Sequence, residues 1–398
     1  MTAPARFVVT LEEMSESTIA SYVRVLRPHL KRGVFQPARS RLWWLPVHLA
    51  IVTGCLGALQ QRWLPGLAAP LLSLVLGMGY AGLTFLGHET LHGAVVREPR
   101  LRYLVGWIAF LPFVVSPRLW TAWHNRVHHG NTQHAGKDPD AYPTLREYRQ
   151  SRAIRLATRI APGLGRLRGA STPLIGFSVQ SIHMLCVAQA RGYLSAKEHA
   201  YAIAETLLGM ALWAALAVAT GGSVFVFGFV LPLLVANAIV MGFILTNHSL
   251  SPLTDANDPL LNSLTVTTPR LVEWLTLGFG YHVEHHLFPA MSARHAPGVR
   301  ALLRVHYPGK YQSMPFLRAT AALHISARIY KDATTLVDPD SGREWPVLRP
   351  TEPRLPFIPP APFEPRAPSE PLTHLTLGPP ATSAAQASPS RQGPDSVL

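Results

Sequence analysis

Four stretches of this chain run for about 20 residues with almost no charge: Leu42 to Gln60, Gly66 to Gly87, Tyr201 to Thr220 and Val224 to Thr246. About 20 apolar residues is what a helix needs to cross ~30 Å of hydrocarbon, where a chain must satisfy its own backbone. Four such runs are too many for the buried helices of a soluble core. The sequence therefore predicts an all-α integral membrane protein with about four transmembrane helices. Two weaker apolar pieces, Tyr103 to Leu119 with Pro112 and Pro117, and Thr172 to Gln189 with Gln180 and His183, are interrupted. They predict helices that lie in the interface or dip into it, and leave a fifth or sixth crossing open.

Lys and Arg collect on the cytoplasmic side of short loops, which orients the spans. Of the 36 basic residues, 7 fall in 1–41, 15 in 88–200 and 13 in 247–398. Only Arg62 lies elsewhere, in the turn between spans one and two, and the Thr220-Gly221-Gly222-Ser223 turn has none. Two hairpins are expected, with both termini and the long middle loop on the cytoplasmic face. A formal charge of +14 suits a skirt resting on anionic headgroups. No aromatic-basic module is visible, so nucleic acid is not an expected partner.

The first 40 residues carry Glu12, Glu13 and Glu16, so span one is expected to act as its own insertion signal. Cys55 and Cys186 form no C-x-x-C and support neither a disulfide framework nor a thiolate cluster. From Glu344 onward prolines crowd, 14 of 36 between Pro346 and Pro394, and such a composition predicts a disordered tail. The expected division is a basic cytoplasmic segment at 1–41, a membrane domain at 42–343 and the Pro-rich tail at 344–398. Gly163, Gly165 and Gly169 have the wrong spacing for a nucleotide loop.

Eight of the 18 histidines form three tight clusters: His88 and His92; His124, His128 and His129; and His282, His285 and His286. Spacings of three and four residues put side chains on one helical face. The first cluster ends span two, the second lies in the middle loop, and the third follows span four, all on one side of the bilayer in this topology. Neutral imidazole suits Zn, Cu, Fe and Ni. Eight ligands exceed one ion's needs and suit two ions with open positions.

His88-Glu89-Thr90-Leu91-His92 also spells the H-E-x-x-H of zinc proteases. That reading wants a further acidic ligand in a later span, and Glu205 is the only acid in spans three and four. It also leaves six clustered histidines without a role.

The three clusters, HETLH, HNRVHH and GYHVEHHLFP, resemble in order and spacing the histidine boxes of the membrane fatty acid desaturase family. Gly93 after the first, Asp138-Pro139-Asp140 after the second and Asn247-His248 at the end of span four match as well. The resemblance covers roughly residues 40 to 305. It implies two non-haem iron ions that use O2 to remove hydrogen from an unactivated acyl carbon, in a lipid-, CoA- or carrier-bound chain. Redox-inert zinc does not support that chemistry.

By the same resemblance His248 is a ninth metal ligand and Asn247 holds a water near the metal. Glu89, Asp138, Asp140 and Glu284 are expected to accept hydrogen bonds from the outer nitrogens of the ligating rings, whereas His134, His183 and His295 match no box. No haem-binding signature is present, so an external ferredoxin or cytochrome b5 type donor is implied, docking on the basic face of a bacterial inner-membrane protein. Carotenoid ketolases and hydroxylases share these boxes and are the nearest alternative. A non-catalytic metal transporter would call for ionisable residues along its spans, and these have almost none.

Overall fold

The protein is described by a computed structural model that covers residues 18–62, 66–166, 169 and 171–348. The start of the basic segment and the chain from 349 onward lie outside the described residues. In order, the helices are α1 (Thr18–Leu26), α2 (Arg39–Gln60), α3 (Gly66–Leu91), α4 (Pro99–Phe110), α5 (Pro117–Asn131), α6 (Leu145–Gln150) and α7 (Arg152–Arg159). Then come α8 (Ser171–Val187), α9 (Ala196–Thr220), α10 (Val226–His248), α11 (His282–Leu287), α12 (Ala296–His306) and α13 (Phe316–Ile325). The strands are short: β1 (Thr265–Thr267), β2 (Ser313–Pro315), β3 (Tyr330–Asp332), β4 (Thr335–Val337) and β5 (Glu344–Pro346). This is a mostly helical membrane protein with little sheet.

Among the described residues, four helices are long and apolar enough to cross a membrane: α2, α3, α9 and α10. They fall on the four apolar runs. Burial separates them into two roles, with 61% of α3 and 44% of α10 covered by protein against 17% of α2 and 11% of α9. The inner pair is the scaffold, and the outer pair turns apolar side chains such as Leu207, Leu208 and Val218 outward, as lipid-facing helices do.

Helices in hydrocarbon associate by close packing and interhelical hydrogen bonds. Gly77 of α3 lets α10 approach, because a Cβ there would sit 2.5 Å from Val235 Cβ and 2.9 Å from the Pro232 carbonyl oxygen. Asn237 of α10 is buried, accepts from Ser178 N at 3.1 Å and donates to Ser178 Oγ at 3.0 Å, which fixes α8 against α10.

The prolines at 112 and 117 break the middle apolar piece as expected. α4 runs on to Phe113 in a 3-10 turn, and the two halves of the piece meet at 98°. Val114 takes a left-handed backbone (φ 50°), Ser116 caps the N-terminus of α5, and Pro117 starts it. Glu205, the one acid in the apolar run of α9 from Tyr201 to Thr220, holds this corner: it accepts from Ser116 Oγ at 2.6 Å, Arg118 Nε at 2.9 Å and the Tyr103 hydroxyl. The second interrupted piece is α8, a 17-residue apolar helix.

Outside the spans, β1 and β2 pair in parallel, and β3, β4 and β5 form an antiparallel sheet. β5 is made by the first residues of the range assigned to the tail. Its Trp345 lies opposite Leu336, and Trp345 and Val347, on either side of Pro346, join the cluster of Tyr330 and Leu336.

Because a side chain at position 77 meets a backbone carbonyl and a Cβ, Gly77→Leu should overpack the α3–α10 crossing. We expect a loss of about 1–3 kcal/mol, read as a lower unfolding midpoint of the protein in detergent.

Candidate metal centre

The central helices α3 and α10 end at the same level, and each finishes on a histidine segment: His88 in the last turn of α3 with His92 capping it, and His248 at the end of α10. The second cluster comes from α5 and the third from α11. All nine imidazoles meet. Their ring nitrogens form two four-histidine sets, His88, His92, His124 and His285 in one, His128, His248, His282 and His286 in the other, with ligand atoms in each set within 4.8 Å of one another.

The boxes do not map one to one onto the sets. Each of the second and third boxes is divided between them, which the expectation of one face per box did not contain. At the second box His124 and His128 lie on a π-helix, Thr121–His128, with rings stacked at 5.0 Å, yet each belongs to a different set. His129 falls between the two. Its Nε2 is 3.3 Å from His124 Nε2 and 3.1 Å from His285 Nε2, while its ring stacks on His286 at 4.3 Å.

Partners on the outer nitrogens aim the rings. His128 Nδ1 lies 3.0 Å from Asp138 Oδ1 and 3.4 Å from Asp140 Oδ2. His248 Nδ1 faces the Asn262 carbonyl oxygen at 3.1 Å, so that nitrogen carries the proton. His286 Nδ1 faces Thr132 Oγ1 at 3.3 Å, and that hydroxyl donates onward to the His128 carbonyl, so Oγ1 accepts. His248 and His286 therefore present a bare Nε2 to the centre, whereas at His128, against its burial, Asp138 and Asp140 raise the imidazole to about 9, so a cation bound there displaces the proton on its Nε2.

That arrangement tests whether the site fits a cation. His282 Nε2 lies 2.6 Å from His248 Nε2 and 3.2 Å from His286 Nε2. If both neighbours are acceptors, His282 can donate to only one, and a pair of lone pairs is left facing in a desolvated pocket. A shared ion removes the conflict: with metal–nitrogen bonds of about 2.1 Å, two nitrogens on one ion sit about 2.9–3.4 Å apart, a separation that His282 and His286 already have and that His282 and His248, at 2.6 Å, reach by moving apart. His88 Nε2 and His124 Nε2, at 3.1 Å, have that separation as well. His92 Nε2 and both amide atoms of the wholly buried Asn247 have no partner among the described residues.

Burial, together with neighbouring His248, His285, His128 and His88, holds His282 well below the ordinary imidazole range. Burial likewise lowers His286 far down and His285 to about 3, so the third box is neutral and ready to ligate at neutral pH. Burial pushes the Asp140 carboxyl up to about 6, against the pull of His128 and the Trp123 and Gln180 donors. For Asp138 the same desolvation is overcome by His128, and its carboxyl is lowered.

The four acids expected to steer imidazoles divide into two pairs. Asp138 and Asp140 contact His128. Glu89 instead accepts from Ser292 Oγ at 2.5 Å and Ala293 N at 2.9 Å, with Arg41 Nε 3.8 Å away. Glu284 accepts from Thr265 Oγ1 and the Tyr311 hydroxyl, each at 2.6 Å. Both glutamates point away from the rings they neighbour in sequence, because on α3 and α11 the ring-bearing face is already taken by histidine. They pin the histidine segments to the rest of the fold. His183 is exposed, His134 bonds to the Ala135 carbonyl, and His295 accepts from Arg294, so all three lie apart from the centre.

Several contributors carried no visible motif. Asn262 and Thr132 orient rings, and Trp120 walls the first set, stacked on His124 at 4.5 Å. Trp123 Nε1 and Gln180 Nε2 hold Asp140 at 2.9 and 2.6 Å. Gln180, a polar residue inside an apolar helix, was the one available signal. A narrow slot lined by Thr84, Phe85, Phe110, Trp123, Phe177, Val240, Ile244 and Phe279 runs from between the helices to His88, His124, His248 and His282.

Residues 62–318 match the family description of fatty acid desaturases, and that range spans the second to fourth crossing helices and every histidine of both sets. The chain belongs to the fatty acid desaturase family. Membership makes it a membrane oxidoreductase of a metal-dependent type that acts on a lipid or acyl substrate. A comparison with curated proteins gives no match.

Asp138→Asn should weaken metal retention by about 10–100-fold, read by metal analysis across a chelator titration. Glu284→Gln exchanges one of its two acceptor oxygens for an NH2 donor but touches no imidazole, and we expect its metal retention to stay within a factor of about three of the parent, below the range for outer partners of ligands.

Proposed function

We propose that this chain is an O2-dependent desaturase of a fatty acyl chain with two non-haem iron ions held by its histidine sets. The observation that carries the reading is the apolar lining of Phe85, Phe110, Phe177, Val240, Ile244 and Phe279, which reaches the histidines of both sets around a cavity of about 30 Å³; these surroundings suit hydrocarbon better than a polar group, and the helices must part to admit a chain. His88, His92, His124 and His285 are assigned to one ion, and His128, His248, His282 and His286 to the other, with His129 lining both. The bound iron pair supplies the O2-dependent oxidising power that removes hydrogen from an unactivated carbon.

The protein's own residues do the rest. Phe85, Phe110, Phe177 and Phe279 grip the chain and exclude water. Phe279 rests on His88 at 4.9 Å and on Phe85 at 4.6 Å, so the hydrocarbon and the ligand shell share a wall. Asp138 and Asp140 hold His128, and Asn262 and Thr132 hold His248 and His286, which keeps ligand nitrogens on target. Asn247, buried beside His248, is assigned to hold a water near the metal.

The charge distribution supports two hairpins with both termini and the histidine centre on the cytoplasmic face of a bacterial inner membrane. It also supports a separate ferredoxin or cytochrome b5 type donor. We assign 1–41 to the basic segment and 42–343 to the membrane domain, to which β5 at Glu344–Pro346 also belongs, and the rest of 344–398 to the tail.

Mass spectrometry of lipids from a host making the chain should show new double bonds at one acyl position, dependent on O2 and lost in His285→Ala. Oxygenated carotenoids with unchanged acyl chains would transfer the chain to the ketolase branch, and no O2-dependent product of either kind would remove the catalytic reading. Val240 lies two helical turns from His248, about 12 Å deeper into the slot. Val240→Trp should therefore shift products to shorter acyl chains by several carbons, visible in the same lipid profiles.

A further inference from the structure

Away from the histidine centre, a polar cavity of about 280 Å³ lies between α6–α7, the Ala161–Leu164 loop and the β3–β5 sheet. Its volume is that of about nine liquid waters, ample for a tetrahedral oxyanion and its hydration. Arg159, Arg166 and Arg328 line it, together with Asp338 and Asp340. The two acids are accounted for: Arg166 Nη2 lies 3.7 Å from Asp338 Oδ2 and 3.6 Å from Asp340 Oδ2. Arg159 has no ion pair among the described residues.

Arg328 is the unusual member. It is 4% exposed, yet no carboxylate among the described residues pairs with it, and its Nε has no acceptor. Its guanidinium donates to the Ser249 carbonyl at 2.5 Å and to Ser326 Oγ, neutral acceptors both. A desolvated cation without a counter-ion is costly, and a cavity is where its anion would sit. The loop that closes the cavity is rigid. Gly163 has φ +128° and a Cβ there would meet the Ser326 carbonyl at 2.2 Å, while Gly165 N donates to the His324 carbonyl at 2.8 Å.

The neighbourhood suggests where the anion comes from. α7 is amphipathic and basic, with Arg152, Arg155 and Arg159, and its Leu156 and the following Ile160 are exposed. Exposed apolar residues beside arginines are the signature of a helix lying on an anionic lipid surface.

We propose that this cavity binds a phosphate group through Arg328 and Arg159, supplied by an anionic phospholipid headgroup or by free inorganic phosphate. The bound group steadies the segment after His248, because Arg328 holds the carbonyl of Ser249.

The test uses the full-length protein in a neutral detergent and follows thermal unfolding. One arm adds inorganic phosphate against chloride at matched ionic strength, and a second adds phosphatidylglycerol against phosphatidylcholine. We expect a rise of about 2 °C or more in at least one arm. A response to phosphate identifies the free ion as sufficient, and a response to phosphatidylglycerol alone identifies the headgroup. Arg159→Gln, at the exposed end of α7, should abolish the rise. The proposal falls if neither arm shifts the midpoint, or if Arg159→Gln and the separate Arg328→Lys both respond like the parent. Because the readout is a midpoint, its failure is distinguishable from a failure of the desaturase reading, which shows in lipid products.

Discussion

Imidazole lone pairs that face one another in a pocket without water repel unless a cation lies between them, and much of this fold is arranged to bring them face to face. Outer partners keep the proton of His248 and His286 on Nδ1 and so turn two bare nitrogens inward, leaving His282 unable to satisfy both as a donor, while carboxylates hold His128 beside them. The partners come from distant parts of the chain: a carboxylate after α5, a backbone carbonyl after α10, and a hydroxyl that is itself bonded. Losing any one frees a ring to present the wrong nitrogen.

The scaffold makes that convergence inexpensive in chain entropy. α3 and α10 pack along their length through Gly77 and finish together, so their last turns deliver His88, His92 and His248 at one depth with no long loop to order. β1 then clamps α11: Thr265 Oγ1 accepts from Val283 N at 3.2 Å and donates to Glu284, which fixes the third box from behind. Apolar spans and polar centre are thus consecutive parts of the same helices.

Much of this was legible in the sequence. Hydropathy located the spans to within a few residues, because ~20 uncharged residues have few other uses, and the proline pairs marked the corner at Val114. The histidines that converge were readable from their spacing. Their division into two sets was not, since it follows from how α3, α5, α10 and α11 meet in space. Nor were the glutamates: in HETLH and HVEHH they look like companions of the rings, and only the tertiary contacts to Ser292, Thr265 and Tyr311 reveal that they face outward. Asn262 and Thr132 act on rings more than a dozen positions away through groups that any sequence contains.

The position of His129 carries a consequence for how the centre behaves. Its imidazole touches nitrogens of one set and stacks on a ring of the other, so it is a common wall rather than a private one. Displacing that ring toward either side changes the room available on both. The two halves of the pocket are for that reason mechanically joined, and neither has an independent fit.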